Sequence, residues 1–480
     1  MRRALPLVAL LLLFAASAQA ATRQIIRGAG FGHGIGMSQY GAYGYARHGA
    51  GYEQILAHYY RGTTLSKASQ SDIRVILQSG SKTATITGVS DAPGHHLDEN
   101  ATYKVRLSGL SGEDLLDSKG KQIDHYDGPL DISSGNGIVK LGGKAMNGRT
   151  GGHYRGSLEF RPSPFGGLAV VNVLSLDDYV KGVVPGEVPS SWPAEALKAQ
   201  AVAARSYALA TDAGGPVFDQ YPDTRSQVYT GADGEQTSTN AAVQATANEV
   251  LRYGDAIAAT YFFSTSGGET EDIQNVFYGA APQPYLVGVR DPYDKFSPKH
   301  RWRIVMSKRS FVRRLGSLVK GRYRGIKVLQ RGVSPRIVWA AVVGSKGTTR
   351  VRGATLEAKL GLFDTWASFN RFTGKVKPTP VTAPPISPGG GTPGTSTGVA
   401  HPAREPRMGA LLYGSIAPAP APSKRKAVLQ LEMADGHWRT VRRFNLRAGG
   451  VYRLKVSMPG NYRVLAGPLI GPTLSVVPSA

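Results

Sequence analysis

Asp178-Tyr179-Val180-Lys181-Gly182-Val183-Val184-Pro185-Gly186-Glu187-Val188-Pro189 leads, across Ser190-Ser191, into Trp192-Pro193-Ala194-Glu195-Ala196-Leu197-Lys198-Ala199-Gln200-Ala201-Val202-Ala203-Ala204-Arg205-Ser206-Tyr207. The second half reads as a helix. Ser191-Trp192-Pro193 is a start signal, because proline fits the first turn. Glu195 then lies where the helix dipole favours an acid. Leu197, Ala201, Ala204 and Ala208 fall on one face at helical spacing. Small residues there imply close packing against a sheet. Glu187 is expected between a strand and this helix, flanked by Gly186 and Pro189.

Outward from this stretch, residues 72 to 173 alternate in short runs: Ile73-Arg74-Val75-Ile76-Leu77, Tyr103-Lys104-Val105-Arg106-Leu107 and Leu168-Ala169-Val170-Val171-Asn172-Val173. Gly, Asp and Asn separate them, which is the pattern of a β-rich region. Further helices are expected over Glu53 to Arg61, with Ile55, Leu56 and Tyr59 inward, and over Ser238 to Val250. Residues 257 to 268 read as a strand running into a turn. Residues 28 to 52 interleave glycine with aromatics, so the backbone can approach another surface closely. The fold class is therefore α+β, a β-rich domain with packed helices over residues 21–374. Residues 375–407 are rich in Pro, Gly, Ser and Thr and form a linker with no means of building a core. Alternation at Ala427–Leu431, Val451–Val456 and Tyr462–Leu465 gives a small C-terminal β-sandwich over 408–480.

The chain has 480 residues, more than one compact core usually holds. Arg2 and Arg3, the apolar run Leu7 to Phe14, and Ala18-Gln19-Ala20 have the layout of a cleaved signal peptide over residues 1–20. That run is shorter than the roughly 20 residues needed to span a bilayer. The mature chain is thus expected outside the membrane with no transmembrane helix. There is no cysteine, which excludes disulfides, thiolate metal sites and thiol nucleophiles. Lys and Arg number 57 against 33 Asp and Glu, a formal net charge of +24. Such a field favours polyanions. For an exported protein these are anionic wall polymers, peptide-stem carboxylates and lipid headgroups, and not nucleic acid. General basicity of a whole proteome is the bland alternative.

The Asp178–Tyr207 stretch closely resembles the signature of the SpoIID/LytB family. Tyr154-Arg155-Gly156, Gln227-Val228-Tyr229-Thr230-Gly231, Tyr261 through Ser266-Gly267-Gly268-Glu269-Thr270, and Asp291-Pro292-Tyr293-Asp294 agree with it. So does Gly32-His33-Gly34-Ile35-Gly36-Met37-Ser38-Gln39-Tyr40-Gly41-Ala42. In the usual family layout that last block follows the glutamate segment. Here it comes first, which reads as a circular permutation; this keeps a fold when the old termini lie close together. The resemblance implies an exported protein acting on peptidoglycan glycan strands. SpoIID-like members are lytic transglycosylases that leave 1,6-anhydro ends; LytB-like members are amidase enhancers. Sporulation does not follow from the family name.

The resemblance assigns the catalytic acid to Glu187. Cleavage needs a proton delivered to a poor leaving oxygen, and partial burial should raise the carboxyl's pKa for that task. A surface glutamate near a helix end is the alternative. Lys198 and Arg205, seven residues apart and so on one helix face, match positions near the groove. Lys198 reads equally as a solvated base, and Arg205 as a buried partner. His33, Gln39, Tyr40, Gln227, Tyr229, Tyr261, Ser264 and Ser266 are candidate glycan contacts or structural loop residues. Glu195 is explained by the helix dipole and is left out. The stretch Phe218 to Gln227, where some relatives carry zinc ligands, has neither His nor Cys, so no metal and no cofactor are expected. Gly28-Ala29-Gly30-Phe31-Gly32-His33 matches a dinucleotide fingerprint only in part, and no Gly-x-Ser-x-Gly elbow is apparent.

Overall fold

The computed structural model describes residues 22–69, 71–109 and 111–373, together with separate strands between 410 and 476. The signal peptide and the 375–407 linker read from the sequence lie outside the described residues. The class is α+β, with antiparallel sheets and eight α-helices among the described residues.

The β-rich region forms as the alternation dictates. Asp72–Gln78 buries Ile73, Val75 and Leu77 on one face. It closes a four-stranded sheet of Leu130–Ile132, Ser157–Pro162, Leu168–Ser175 and Asp72–Gln78, in that spatial order. A six-stranded antiparallel sheet holds Thr83–Thr87, Thr102–Ser108, Gly112–Leu116 and three neighbours. Ile86, Val105 and Leu115 from this sheet join Leu158, Phe160 and Val170 from the other in one core.

Five helices matter for the site: α1 (Gln39–Arg47), α2 (Tyr52–Tyr59), α3 (Leu176–Glu187), α4 (Ala194–Ala210) and α5 (Thr237–Ala245). The expected face of α4, Leu197, Ala201, Ala204 and Ala208, packs into the first core with Tyr179, Val180 and Val183 of α3 and Ala242 and Val243 of α5. Ala199, Val202 and Ala203, on the other side, pack into a second core with Ile55, Leu56 and Tyr59 of α2 and Ile35, Met37 and Ala42 of the glycine-rich block. This explains the alanine content: a helix clamped between two cores is apolar nearly all round and must be thin. Truncating Leu197, which is 1% exposed, should destabilise the fold by about 2–5 kcal/mol.

Three local expectations need correction. The residues before Glu187 form α3 and not a strand. Ser175 caps that helix by accepting from the Asp178 N–H at 3.2 Å, and its apolar face docks on the first core, which overrides the extended preference of Val183-Val184. The second expected helix stops at Ala245, because Glu249–Tyr253 pairs as a strand with Thr64–Lys67. In the expected strand at 257–268, Ala256–Ile257 and Phe262–Phe263 are strand; Phe262–Phe263 runs parallel to Met37–Ser38.

Residues 302–373 add a third core around Ile26, Trp302, Phe311, Ile337 and Leu356. The N-terminal strand Thr22–Gly28 lies between Trp302–Ser307 and Ala367–Thr373, antiparallel to both. Thr22 and Thr373 are cross-strand partners. The two ends of the described segment 22–373 therefore meet, which is the condition a permuted chain order requires. Beyond residue 409, Ala410–Ser415 pairs with Val451–Val456, and Lys426–Glu432 lies between Trp438–Asn445 and Gly460–Ala466. The three expected C-terminal strands are thus present.

Candidate active site

Glu187 is the last residue of α3, just before Val188 turns extended and Pro189 ends the helix. Two glycines on α3 let another segment lie against it. A Cβ at Gly182 would come within 2.4 Å of the Tyr229 ring, and one at Gly186 within 2.5 Å of the Val228 carbonyl oxygen. The segment is tied down by Thr230, whose N–H and hydroxyl both donate to the Gly182 carbonyl, at 2.9 and 2.7 Å. The Val228 N–H then donates to Glu187 Oε1 at 2.7 Å. Gln39 Nε2 donates to Oε2 at 3.4 Å, a long and weak bond. Burial pushes the Glu187 carboxyl above the ordinary glutamate range, and these two N–H groups pull against that rise. Glu187 also acts on Tyr207, whose phenol is pushed up to about 12, first by burial and then by Tyr261.

Gln39 comes from the glycine-rich N-terminal block, so the block and the glutamate segment share one site despite a sequence separation of 148. Ser38 fixes the block. Its hydroxyl caps α1 by accepting from the Gly41 N–H at 3.1 Å, and it also accepts from the Ser266 N–H at 3.2 Å. The Tyr40 N–H donates to the Ser264 carbonyl at 3.0 Å. Asp294 supports the far side of this turn, accepting from the Gly267 N–H at 2.6 Å and pairing with His300 at 2.6 Å.

Aromatic faces stand on α1 and at the start of α4. Tyr40 and Tyr43 each lie 5.0 Å from the Trp192 ring, and Tyr43 is 5.6 Å from Phe296. Tyr40 and Trp192 are half-buried and Phe296 is exposed. Tyr207 of α4 meets Tyr261 at 5.5 Å and Phe262 at 6.3 Å. Trp192, Tyr43 and Tyr207 were not singled out from the sequence. The signal was present in the spacing, since Tyr43 is one helical turn from Gln39 and Trp192 precedes the α4 start.

The remaining sequence candidates divide. Tyr261 and Ser264 are half-buried and flank the Phe262–Phe263 pairing; the Tyr261 carbonyl accepts from the Met37 N–H at 3.1 Å and the Ser264 carbonyl from the Tyr40 N–H. Arg205, Gln227, Tyr229 and Ser266 are corrected from glycan contacts to scaffold, because all are at most 1% exposed and their polar atoms are engaged inside the protein. Arg205 donates to Asp177 at 2.7 Å and to the carbonyls of Glu249 and Val243. Gln227 accepts from Tyr179 at 3.0 Å, Tyr229 donates to Asn172 at 2.7 Å, and Ser266 Oγ accepts from the Gly268 N–H. His33 is likewise a loop clasp. Its Nδ1 accepts from the Ile35 N–H and its Nε2 faces the Phe262 carbonyl, both at 3.0 Å. Burial lowers its pKa to about 4, so the ring is neutral with both nitrogens used. Lys198 pairs with Glu195 at 2.7 Å, and Glu195 accepts from the Tyr52 N–H at 2.8 Å. That pair caps α2 and does not reach Glu187. Lys198 and Arg205 thus share a helix but not a task.

The geometry defines an α+β fold with a half-buried glutamate at a helix end and aromatic side chains on the neighbouring α1 and α4. The family model described as Stage II sporulation protein matches residues 165–253, which include Glu187, α4 and the Gln227–Gly231 segment. The chain is 40% identical over 130 residues to a protein named amidase enhancer from Bacillus subtilis (strain 168), covering 27% of this chain and 17% of that one. It is 29% identical over 209 residues to stage II sporulation protein D of the same organism, covering 40% of this chain and 59% of the relative. An uncharacterized protein of Brachyspira hyodysenteriae is 45% identical over 139 residues, covering 28% of this chain and 37% of its own length. The chain thus spans between about one sixth and three fifths of the curated relatives it matches. Over these residues the chain is similar to the SpoIID/LytB family.

Proposed function

We propose that the protein is an exported peptidoglycan lytic transglycosylase, cutting between N-acetylmuramic acid and N-acetylglucosamine and leaving a 1,6-anhydro-muramyl end. The observation that carries this is the Glu187 carboxyl: half-exposed, raised in pKa by its surroundings, and held at one oxygen by the Val228 N–H and at the other by Gln39. Protonated Glu187 gives its proton to the glycosidic oxygen as the C1–O4 bond breaks. The muramyl C6 hydroxyl then attacks C1, and its proton returns to Glu187. One carboxyl serves both steps and no water is consumed, so the two-carboxylate arrangement of ordinary glycosidases is not required. The Tyr40, Tyr43 and Trp192 faces supply broad, weakly polar surface for sugar rings. Localisation at the cell wall follows from this reading together with the signal-peptide pattern. Among the described residues no helix is long and apolar enough to cross a membrane.

A second reading is favoured by the 40% identity to a protein named amidase enhancer. Here the same groove holds glycan without cutting it and delivers a wall amidase. Mass spectrometry of fragments released from purified wall separates the two. Wild type is expected to release products lighter by one water than hydrolytic ones, and Glu187→Gln to lose them by about 10²- to 10⁴-fold. No products from either protein, with an added amidase stimulated equally by both, would leave the enhancer. Products ending in an ordinary reducing sugar would indicate hydrolysis and call for a second carboxylate.

A further inference from the structure

A cleft of about 250 Å³ opens where the N-terminal strand meets residues 301–368. Its walls include Arg27, Arg301, Arg331, Trp366 and Ser368. All three arginines are exposed, and among the described residues none takes part in an ion pair. The cross-strand partner of Arg27 is Arg303, another cation. Like charges directly opposite each other in a sheet are destabilising, so this arrangement opposes folding unless something else favours it. The arginines are also positioned. Arg331 donates to the Pro335 and Ala367 carbonyls, and Arg301 to those of Gly267 and His300. The Arg301 guanidinium lies 5.6 Å from the Trp366 ring centroid, and Ser368 Oγ donates to the Arg27 carbonyl. The nearby carboxylate of Asp364 is already taken by Arg336 at 2.7 Å and by the Trp366 N–H at 2.8 Å, so it does not neutralise the cleft.

From this convergence we infer that the cleft is a binding site for a phosphate group carried on a phosphodiester polymer. A carboxylate has two oxygens and is satisfied by one guanidinium fork. Three forks around one cleft suit a tetrahedral anion, whose oxygens diverge. The cleft is larger than a bare ion, and Trp366 gives apolar surface for the atoms on either side of the phosphate. Through Gly267, Arg301 touches the same Ser264–Gly268 turn that receives Tyr40 and Ser38. A polymer held here would be anchored beside the glycan groove, not in it. The inference does not depend on Glu187 chemistry.

The test uses the full chain and calorimetric titration at fixed ionic strength with poly(glycerol phosphate), inorganic phosphate, acetate, and vesicles containing phosphatidylglycerol. Arg27→Gln, Arg301→Gln and Arg331→Gln should each weaken polymer binding about tenfold or more, as loss of a charge-assisted hydrogen bond does. Arg350→Gln removes the same charge from a guanidinium stacked 4.1 Å over Trp339, outside the cleft, and should change binding less than about twofold. Inorganic phosphate should compete with the polymer and acetate should not. Glu187→Gln should bind the polymer as wild type does. Equal losses in the cleft variants and Arg350→Gln would reduce the site to general basicity and overturn the inference. So would acetate competing as well as phosphate, or vesicles binding more tightly than the polymer with the same arginine dependence.

Discussion

Gln39→Leu tests whether the two halves of the site act as one. Gln39 is 7% exposed, and its amide reaches Glu187 Oε2 at 3.4 Å. That hydrogen bond favours the charged carboxylate, so removing it should raise the Glu187 pKa above its already elevated position. A net hydrogen bond is worth about 0.5–1.5 kcal/mol, and the long distance argues for the lower half of that range. That energy is the amount by which the variant carboxyl should favour its protonated form over wild type, so its titration should move upward. A general acid must be protonated to act, so the basic limb of the kcat/KM profile reports this pKa. The assay measures release of 1,6-anhydro fragments across pH 4 to 9, alongside a ¹³C titration of the Glu187 carboxyl, which works even without turnover. Leucine keeps the volume, so the fold should persist. A basic limb and a carboxyl titration both unmoved would refute the coupling of the N-terminal block to the acid. A carboxyl titration that moves without any change in the profile would remove Glu187 from the proton-donating role.

Glu187→Gln should be at least as thermally stable as wild type at pH 7. A carboxyl whose folded pKa is raised destabilises the fold once pH passes its unfolded value near 4.5; the two melting temperatures should therefore converge towards pH 4. The lowered pKa of His33, about 4 against 6.5, has the opposite slope. The unfolded chain takes up that proton first, so stability should fall by as much as about 3 kcal/mol as pH drops from 6.5 to 4. Denaturant titrations of wild type and His33→Gln should show that part of the slope only in wild type. Retention on purified sacculi should weaken steeply between 0.05 and 0.5 M salt, given the +24 charge and a screening length of about 10 Å at 0.1 M. Deleting residues 408–480 should reduce retention while leaving fragment release intact.

The start and inward face of α4 were legible in the sequence, because alanine, the Trp192-Pro193 start and a 3.6-residue period all point the same way. Glu187 was singled out through its motif, but its setting was misread. Val183-Val184-Pro185 looks extended in isolation and becomes helical because Ser175 caps the element and the first core takes its apolar face. The helix α1 was hidden by its glycines: Gly41 and Gly44 are poor helix formers, tolerated where a Cβ would strike the Tyr59 hydroxyl or the Tyr293 backbone. Long-range tertiary bonds made the rest unreadable. Arg205, Gln227 and Tyr229 carry the same polar groups whether they face a sugar or a buried carbonyl. Only the partners at Asp177, Tyr179 and Asn172 decide between those roles.

The cross-strand pairing of Thr22 with Thr373 has an engineering consequence. A unit whose two ends leave from neighbouring positions on one sheet can be spliced into a surface loop of a host protein without prising that loop apart. The segment 22–373 is accordingly expected to behave as a portable cassette, and a short linker across the Thr22–Thr373 seam should allow it to be reopened at another exposed turn.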